Sequence, residues 1–156
     1  MLQKLKDCPF VPKYIGLGHI RSLGITFLIT EFLGPTLQDL FEICGRRFSL
    51  KTTCMIFHQL IEGIRDFHNY SFVHRDIKPD NFMFGYKEKT NKMHLIDFGL
   101  ANKYFDNVAG HIPFQQKTSL TGNARFASTN AHKGYELSRR DDMQSISHMM
   151  IYLWLG

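Results

Sequence analysis

Between the apolar runs Phe72-Val73 and Phe82-Met83-Phe84 lies the polar stretch His74-Arg75-Asp76-Ile77-Lys78-Pro79-Asp80-Asn81. It sets a carboxylate, an ammonium and an amide at positions i, i+2 and i+5. A second carboxylate follows in Leu95-Ile96-Asp97-Phe98-Gly99. This collection suits phosphoryl transfer, which asks a protein to orient a nucleophile and neutralise charge more than to form bonds. Asp76 can accept a hydrogen bond from a hydroxyl and take its proton late in the reaction. Lys78 is a compact point charge within reach of a phosphate. Asn81 and Asp97 offer hard oxygens of the kind magnesium takes together with phosphate oxygens. Gly99 gives the backbone freedom beside Asp97. Each residue alone would read as ordinary surface; the joint spacing carries the inference.

The flanking patterns indicate what must hold these groups. Residues 12–20 and 24–30 read as two strands joined by the polar turn Arg21-Ser22-Leu23-Gly24. The second, Ile25-Thr26-Phe27-Leu28-Ile29, is so apolar that burial on both faces is expected. Thr36 can cap a short helix over 37–44, with Asp39 at N3 and Gly45 as its stop. Ser49 caps a longer helix whose apolar stripe reads Leu50, Cys54, Phe57, Leu60/Ile61, Ile64, Phe67. Strands at 82–84 and 93–96 flank the polar hairpin 86–91. Residues 100–136 lack periodicity and read as one long functional loop. A last helix spans about 138–155. Strands, helices, a hairpin and a long loop in that order make an α+β fold.

A chain of 156 residues, 44% of them apolar, supports one modest core. Cys8, Cys44 and Cys54 are odd in number and form no C-x-x-C pair, so neither disulfides nor a zinc site is expected and a reducing compartment is the default. Lys4, Lys6 and Asp7 interrupt any signal-peptide core, and the apolar run 149–155 is too short to span a bilayer. An intracellular location, cytoplasmic or nuclear, with no membrane partner is the expectation. The formal charge of +5 comes from small scattered basic groups, without the aromatic interleaving of a nucleic-acid platform, so nucleic acid is not an expected partner.

The two polar segments resemble the catalytic and magnesium loops of eukaryotic protein kinases. The resemblance narrows in Leu33-Gly34-Pro35-Thr36-Leu37, Phe48-Ser49-Leu50-Lys51-Thr52, His111-Ile112-Pro113-Phe114, Leu120-Thr121-Gly122-Asn123-Ala124-Arg125-Phe126-Ala127-Ser128 and Ser138-Arg139-Arg140-Asp141-Asp142. These look like the casein kinase I family, with Ser128-Thr129-Asn130 where most kinases carry Ala-Pro-Glu. The resemblance implies a protein-kinase-like α+β fold, here the end of a small lobe (1–33) and the first part of a helical large lobe (34–156). It also implies ATP and magnesium as cofactors, and phosphorylation of Ser or Thr in acidic or already phosphorylated protein segments. By the same resemblance Thr30 is the gatekeeper, the Glu31 carbonyl and Leu33 amide bind adenine, and Met83 floors that pocket. Lys78, Asn81 and Asp97 face the nucleotide and its metal, Asp142 holds the catalytic loop, and Arg125 receives a substrate anion.

Asn123, Phe126, Thr118 and Ser147 depart from that family's Thr, Tyr, basic residue and Gly, which touches substrate choice; Lys117 stands beside Thr118 as a substitute charge. No G-x-G-x-x-G loop or V-A-I-K lysine precedes the strands, and 2–6 look like the tail of a helix. A piece of a longer kinase is therefore expected, with a naturally short relative acting by binding as the alternative. An exposed apolar patch and strand edge are expected with either.

Overall fold

The structure is a computed structural model and describes residues 4–116 and 119–156. Strands β1 (Tyr14–Ile20) and β2 (Ile25–Thr30) form an antiparallel ribbon, closed by a 3₁₀ turn that ends on Gly24 at φ +63°. Helix α1 (Leu37–Ile43) follows, then α2 (Leu50–Asn69), β3 (Phe72–Val73), β4 (Phe82–Phe84) and β5 (Met93–Leu95). The 100–136 stretch contains β6 (Asn102–Lys103), β7 (Phe105–Asp106), β8 (Gly110–His111) and α3 (Thr129–His132). Helix α4 (Arg139–Leu155) closes the order.

The helix starts follow from their caps. The Thr36 side chain accepts from the Asp39 amide while the Asp39 carboxylate accepts from the Thr36 amide, a complete capping box. Ser49 accepts from the Thr52 amide. Ser138 and Asp141 form a second box at α4.

One core lies where α2 and α4 pack against α1 and the β4–β5 hairpin. Phe41, Leu60, Phe67, Phe82, Ile146 and Met149 are among its fully buried members. The N-terminal segment joins it: Leu5, Cys8, Phe10 and Val11 are buried, and the Phe10 carbonyl accepts from the Leu95 amide at 2.7 Å. Gly63 on α2 makes that approach possible, because a Cβ there would stand 2.2 Å from the Phe10 ring.

Four expectations need correction. Strand β2 is not buried on both faces; its Ile25, Phe27, Leu28 and Ile29 are 41–49% exposed. Among the described residues it pairs only with β1, and Leu28 and Ile29 line an open cleft. The stripe on α2 is shifted in its first half. Leu50 and Cys54 are exposed and Phe57 is 36% exposed, whereas Thr53, Ile56, Leu60, Gly63, Ile64 and Phe67 face the core. A threonine and a glycine on the buried face hid the true phase from a count of apolar residues. The long loop is not structureless, since β3 pairs with β6 and β7 with β8. Of the expected helix tail at 2–6, residues 1–3 lie outside the described residues, and the rest is 3₁₀ and turn. The apolar residues of α4 divide: Ile146, Met149 and Leu153 are buried, while Ile151, Trp154 and Leu155 are exposed.

Candidate active site

The loop after β3 and the loop after β5 are brought together by backbone. The Ile96 amide donates to the Asn81 carbonyl at 2.9 Å, and His74 Nε2–H donates to the Ile96 carbonyl at 3.1 Å. Phe98 stacks on Phe67 with ring centroids 5.8 Å apart and meets the His74 ring edge-on. His74 is fully buried, and burial pushes its pKa below the usual histidine value, so it is neutral packing within this spine.

Asp76 is 7% exposed and stands at the centre of a small polar network. Its Oδ2 accepts from Lys78 Nζ at 2.7 Å and from Asn81 Nδ2 at 3.1 Å. Its Oδ1 accepts from the Asn123 amide at 2.8 Å. The hydrogen bond to Asp76 raises the Lys78 pKa, so the ammonium is retained at neutral pH. Asn81 Nδ2 also donates to the Asp76 carbonyl at 2.8 Å. Both amide hydrogens of Asn81 are thus directed at Asp76, and its Oδ1 carries no protein hydrogen bond among the described residues. Asp97 adopts φ +57° and is exposed; its Oδ1 accepts from the Gly99 amide at 3.1 Å and its Oδ2 is free of protein partners among the described residues.

Two oxygens, one amide and one carboxylate, are thereby left for a hard cation. No group of three His, Cys, Asp or Glu side chains forms a metal cage among the described residues. The donor set fits magnesium, which keeps waters and phosphate oxygens as its other ligands, and does not fit zinc.

A cleft of about 770 Å³ opens above Asp97, lined by Leu28, Thr30, Glu31, Leu33, Met83 and Ile96 among others. The expected adenine-binding residues therefore meet in one apolar-walled space. The Leu33 amide has no protein acceptor among the described residues, and the Glu31 carbonyl takes only a 3.3 Å bond from Thr30 Oγ1. The segment is fixed by its side chain: Glu31 accepts from Lys89 Nζ at 2.8 Å and from the Lys13 amide at 2.8 Å. Those bonds hold the Glu31 pKa below the usual carboxylate value.

Asp142 is 1% exposed and fixes the loop after β3 from α4. Its Oδ2 accepts from the His74 amide and from His68 Nε2–H, and its Oδ1 accepts from the Arg75 amide, all within 2.8–2.9 Å. Arg75 sits at φ +69°, a conformation that needs such support. Its guanidinium pairs with Glu136 at 3.2 Å and donates to the Leu100 carbonyl.

The neighbouring Asp141 was missed by sequence reasoning. It accepts from Ser128 Oγ at 2.7 Å and Asn130 Nδ2 at 2.9 Å, which explains why those two polar residues occupy their positions. The capping-box spacing Ser138-x-x-Asp141 was the available signal.

Arg125 does not join the Asp76 network. It lines a separate polar cleft of about 520 Å³ with Gln38, Glu42, Arg46, Asp80, Asn123 and Tyr152. Arg46 and Tyr152 carried no sequence signal; they meet here because Arg46 Nη2 donates to the Tyr152 hydroxyl at 3.2 Å across the chain. Of the departures, Asn123 folds its Oδ1 onto the Arg125 amide, Phe126 is buried against Tyr152, and Ser147 Oγ donates to the Met143 carbonyl. Lys117 and Thr118 lie outside the described residues. Among the described residues no helix is long and apolar enough to cross a membrane.

A family model for the protein kinase domain matches residues 1–156. The chain belongs to the protein kinase domain family.

Proposed function

We propose that this member of the protein kinase domain family transfers the γ-phosphate of ATP to a serine or threonine hydroxyl, in the manner of the casein kinase I family it resembles. The observation carrying this reading is the Asp76–Lys78–Asn81 network set 2.7–3.1 Å around one carboxylate. Asp76 orients the hydroxyl and receives its proton. Lys78, kept charged by Asp76, presents its ammonium to the phosphate being transferred. The Leu33 amide and Glu31 carbonyl would hold adenine in the cleft that Met83 lines. Asn81 and Asp97 would hold magnesium, which supplies charge neutralisation on the phosphate oxygens. Arg125 would meet an acidic or phosphorylated side chain of the protein substrate.

The test is transfer of labelled phosphate from magnesium–ATP to a Ser-containing acidic peptide by the full-length protein. Asp76→Asn should lower the rate by about 10²–10⁴-fold, the usual contribution of a positioned base. Undiminished transfer by that variant would sink the assignment. Exchanging the acidic flank for a neutral one tests the family-type preference separately.

A further inference from the structure

The turn that carries Arg125 is held by two histidines whose presence the transfer chemistry does not require. Within the turn, the Phe126 and Ala127 amides donate to the Asn123 carbonyl at 3.2 and 3.0 Å, and the Arg125 amide donates to Asn123 Oδ1 at 3.0 Å. The carbonyls on either side of Arg125 are left to find donors outside it. The Ala124 carbonyl meets His132 Nε2 of α3 at 3.1 Å, and the Phe126 carbonyl meets His148 Nδ1 of α4 at 3.3 Å. A carbonyl can only accept, so each ring must carry its proton on the nitrogen that faces it. His132 is thereby fixed as the Nε2–H tautomer and His148 as the Nδ1–H tautomer when neutral.

The side chain between the two carbonyls is located as well. The Arg125 guanidinium carbon stands 5.5 Å from the centroid of the Tyr152 ring, and the Tyr152 hydroxyl accepts from Arg46. The first residue of the turn, Asn123, donates its amide to Asp76. One short segment is therefore anchored on the catalytic carboxylate at its start and gripped by imidazoles from two helices around the arginine.

We propose that His132 and His148 are positioning residues that clasp the 124–126 turn and preset Arg125 for an anionic side chain of a substrate peptide. The functional half of this inference rests on the anion-binding reading of Arg125. Presetting matters because a flexible arginine must otherwise surrender rotamer and backbone freedom on binding, and that loss subtracts directly from affinity.

The experiment measures peptide affinity by fluorescence anisotropy, using the full-length protein, an acidic peptide and its neutral counterpart. His148→Leu removes the donor and should weaken the acidic peptide about fivefold, the worth of one ordinary hydrogen bond, with the neutral peptide unmoved. His148→Asn places an amide N–H near the lost Nδ1 and should restore most of the affinity; His132→Gln should do the same for Nε2 relative to His132→Leu. In an Arg125→Gln background the His148→Leu effect on the acidic peptide should vanish. Nitrogen-15 spectra of the neutral ring should show His148 protonated at Nδ1.

Equal weakening of both peptides, no weakening, or no recovery in His148→Asn would overturn the positioning role. A His148 ring protonated only at Nε2 would overturn the clasp itself. If Arg125→Gln leaves the acidic preference intact, the anion role of Arg125 fails and takes the functional half of the proposal with it. The ring tautomer then decides the clasp alone.

Discussion

Replacing Asp142 by alanine withdraws the acceptor from three donors at once: the His74 amide, the Arg75 amide and His68 Nε2–H. The His74 amide and the His68 ring are buried, whereas the Arg75 amide is only partly so and can recruit water. A buried donor left unpaired costs about 1–3 kcal/mol, so the two buried losses sum to roughly 2–6 kcal/mol. That is a large share of the 5–15 kcal/mol typical of a folded domain. The loss also removes support from Arg75 at φ +69°, one residue before Asp76, so the Asp76 carboxylate should move as well as the fold weaken. Asp142→Asn keeps one oxygen and the side-chain shape; it should cost about 1–3 kcal/mol, because one donor then faces an NH₂ group. Urea unfolding followed by tryptophan fluorescence and circular dichroism measures both variants. If Asp142→Ala unfolds the chain outright, Asp142→Asn still gives a curve. A midpoint for either variant equal to that of the parent, at equal m value, would refute the idea that this carboxylate holds the loop.

Two further outcomes follow from contacts away from α4. At Gly122, φ is +87° and an added Cβ would stand 2.2 Å from the Arg75 carbonyl, so Gly122→Ala must push the 122–127 turn off the loop that carries Asp76. It should lower transfer by at least about tenfold, as a displacement of the reacting geometry does, with a smaller effect on ATP affinity; unchanged turnover would contradict that placement. His94 is buried with both ring nitrogens unpaired among the described residues, and burial, opposed only partly by Glu31, depresses its pKa, as burial also depresses that of His74. Between the depressed folded value and the ordinary value near 6.5 the unfolded chain binds more protons, so stability is complete above about pH 6.5 and falls as pH drops, by up to about 1.4 kcal/mol per pH unit for each such ring. His94→Phe should flatten that acid limb by one ring's share and leave the alkaline side alone; an unaltered limb in stability-against-pH curves would argue against it.

The clustering of Asp76, Lys78 and Asn81 was legible because it is local. Asp76, Lys78 and Asn81 lie within six positions, and the loop that joins them reaches its geometry through neighbours in sequence. Caps were legible for the same reason: Thr36 with Asp39 and Ser49 with Thr52 act across three residues. What failed depended on distance. Whether β2 is covered is decided by which elements lie over it, and its own apolar residues carry no such information. The face of α2 was misphased because Thr53 and Gly63 are buried for reasons located elsewhere, Gly63 by the approach of Phe10 from the far end of the chain. Arg46 gained its role from Tyr152, a partner 106 positions away.

The adjacent carboxylates of α4 show how such distant choices become a site. Asp142 takes the amides of His74 and Arg75, while Asp141 takes Ser128 and Asn130 from the segment just past Arg125. Successive residues on a helix point about 100° apart, so one turn of α4 can face two different segments and fix the angle between them. One of those segments presents Asp76 and the other continues from the Arg125 turn, whose Asn123 amide already touches Asp76. The two loops are therefore registered twice, once by direct contact and once through a rigid helix. Both Asp141 and Asp142 are buried and both accept several hydrogen bonds, Asp142 from two amides and a ring N–H, Asp141 from a hydroxyl, a side-chain amide and the Ser138 amide, with Arg140 Nε a further 3.6 Å from its Oδ2. Lengthening Asp141 by one methylene would break its bonds to both the helix cap and the 128–130 segment, and lengthening Asp142 would break its bonds to the 74–75 backbone. This argues that the pair is placed to align the Asp76 loop with the Arg125 cleft, a task that a surface ion pair, free to swing, could not perform.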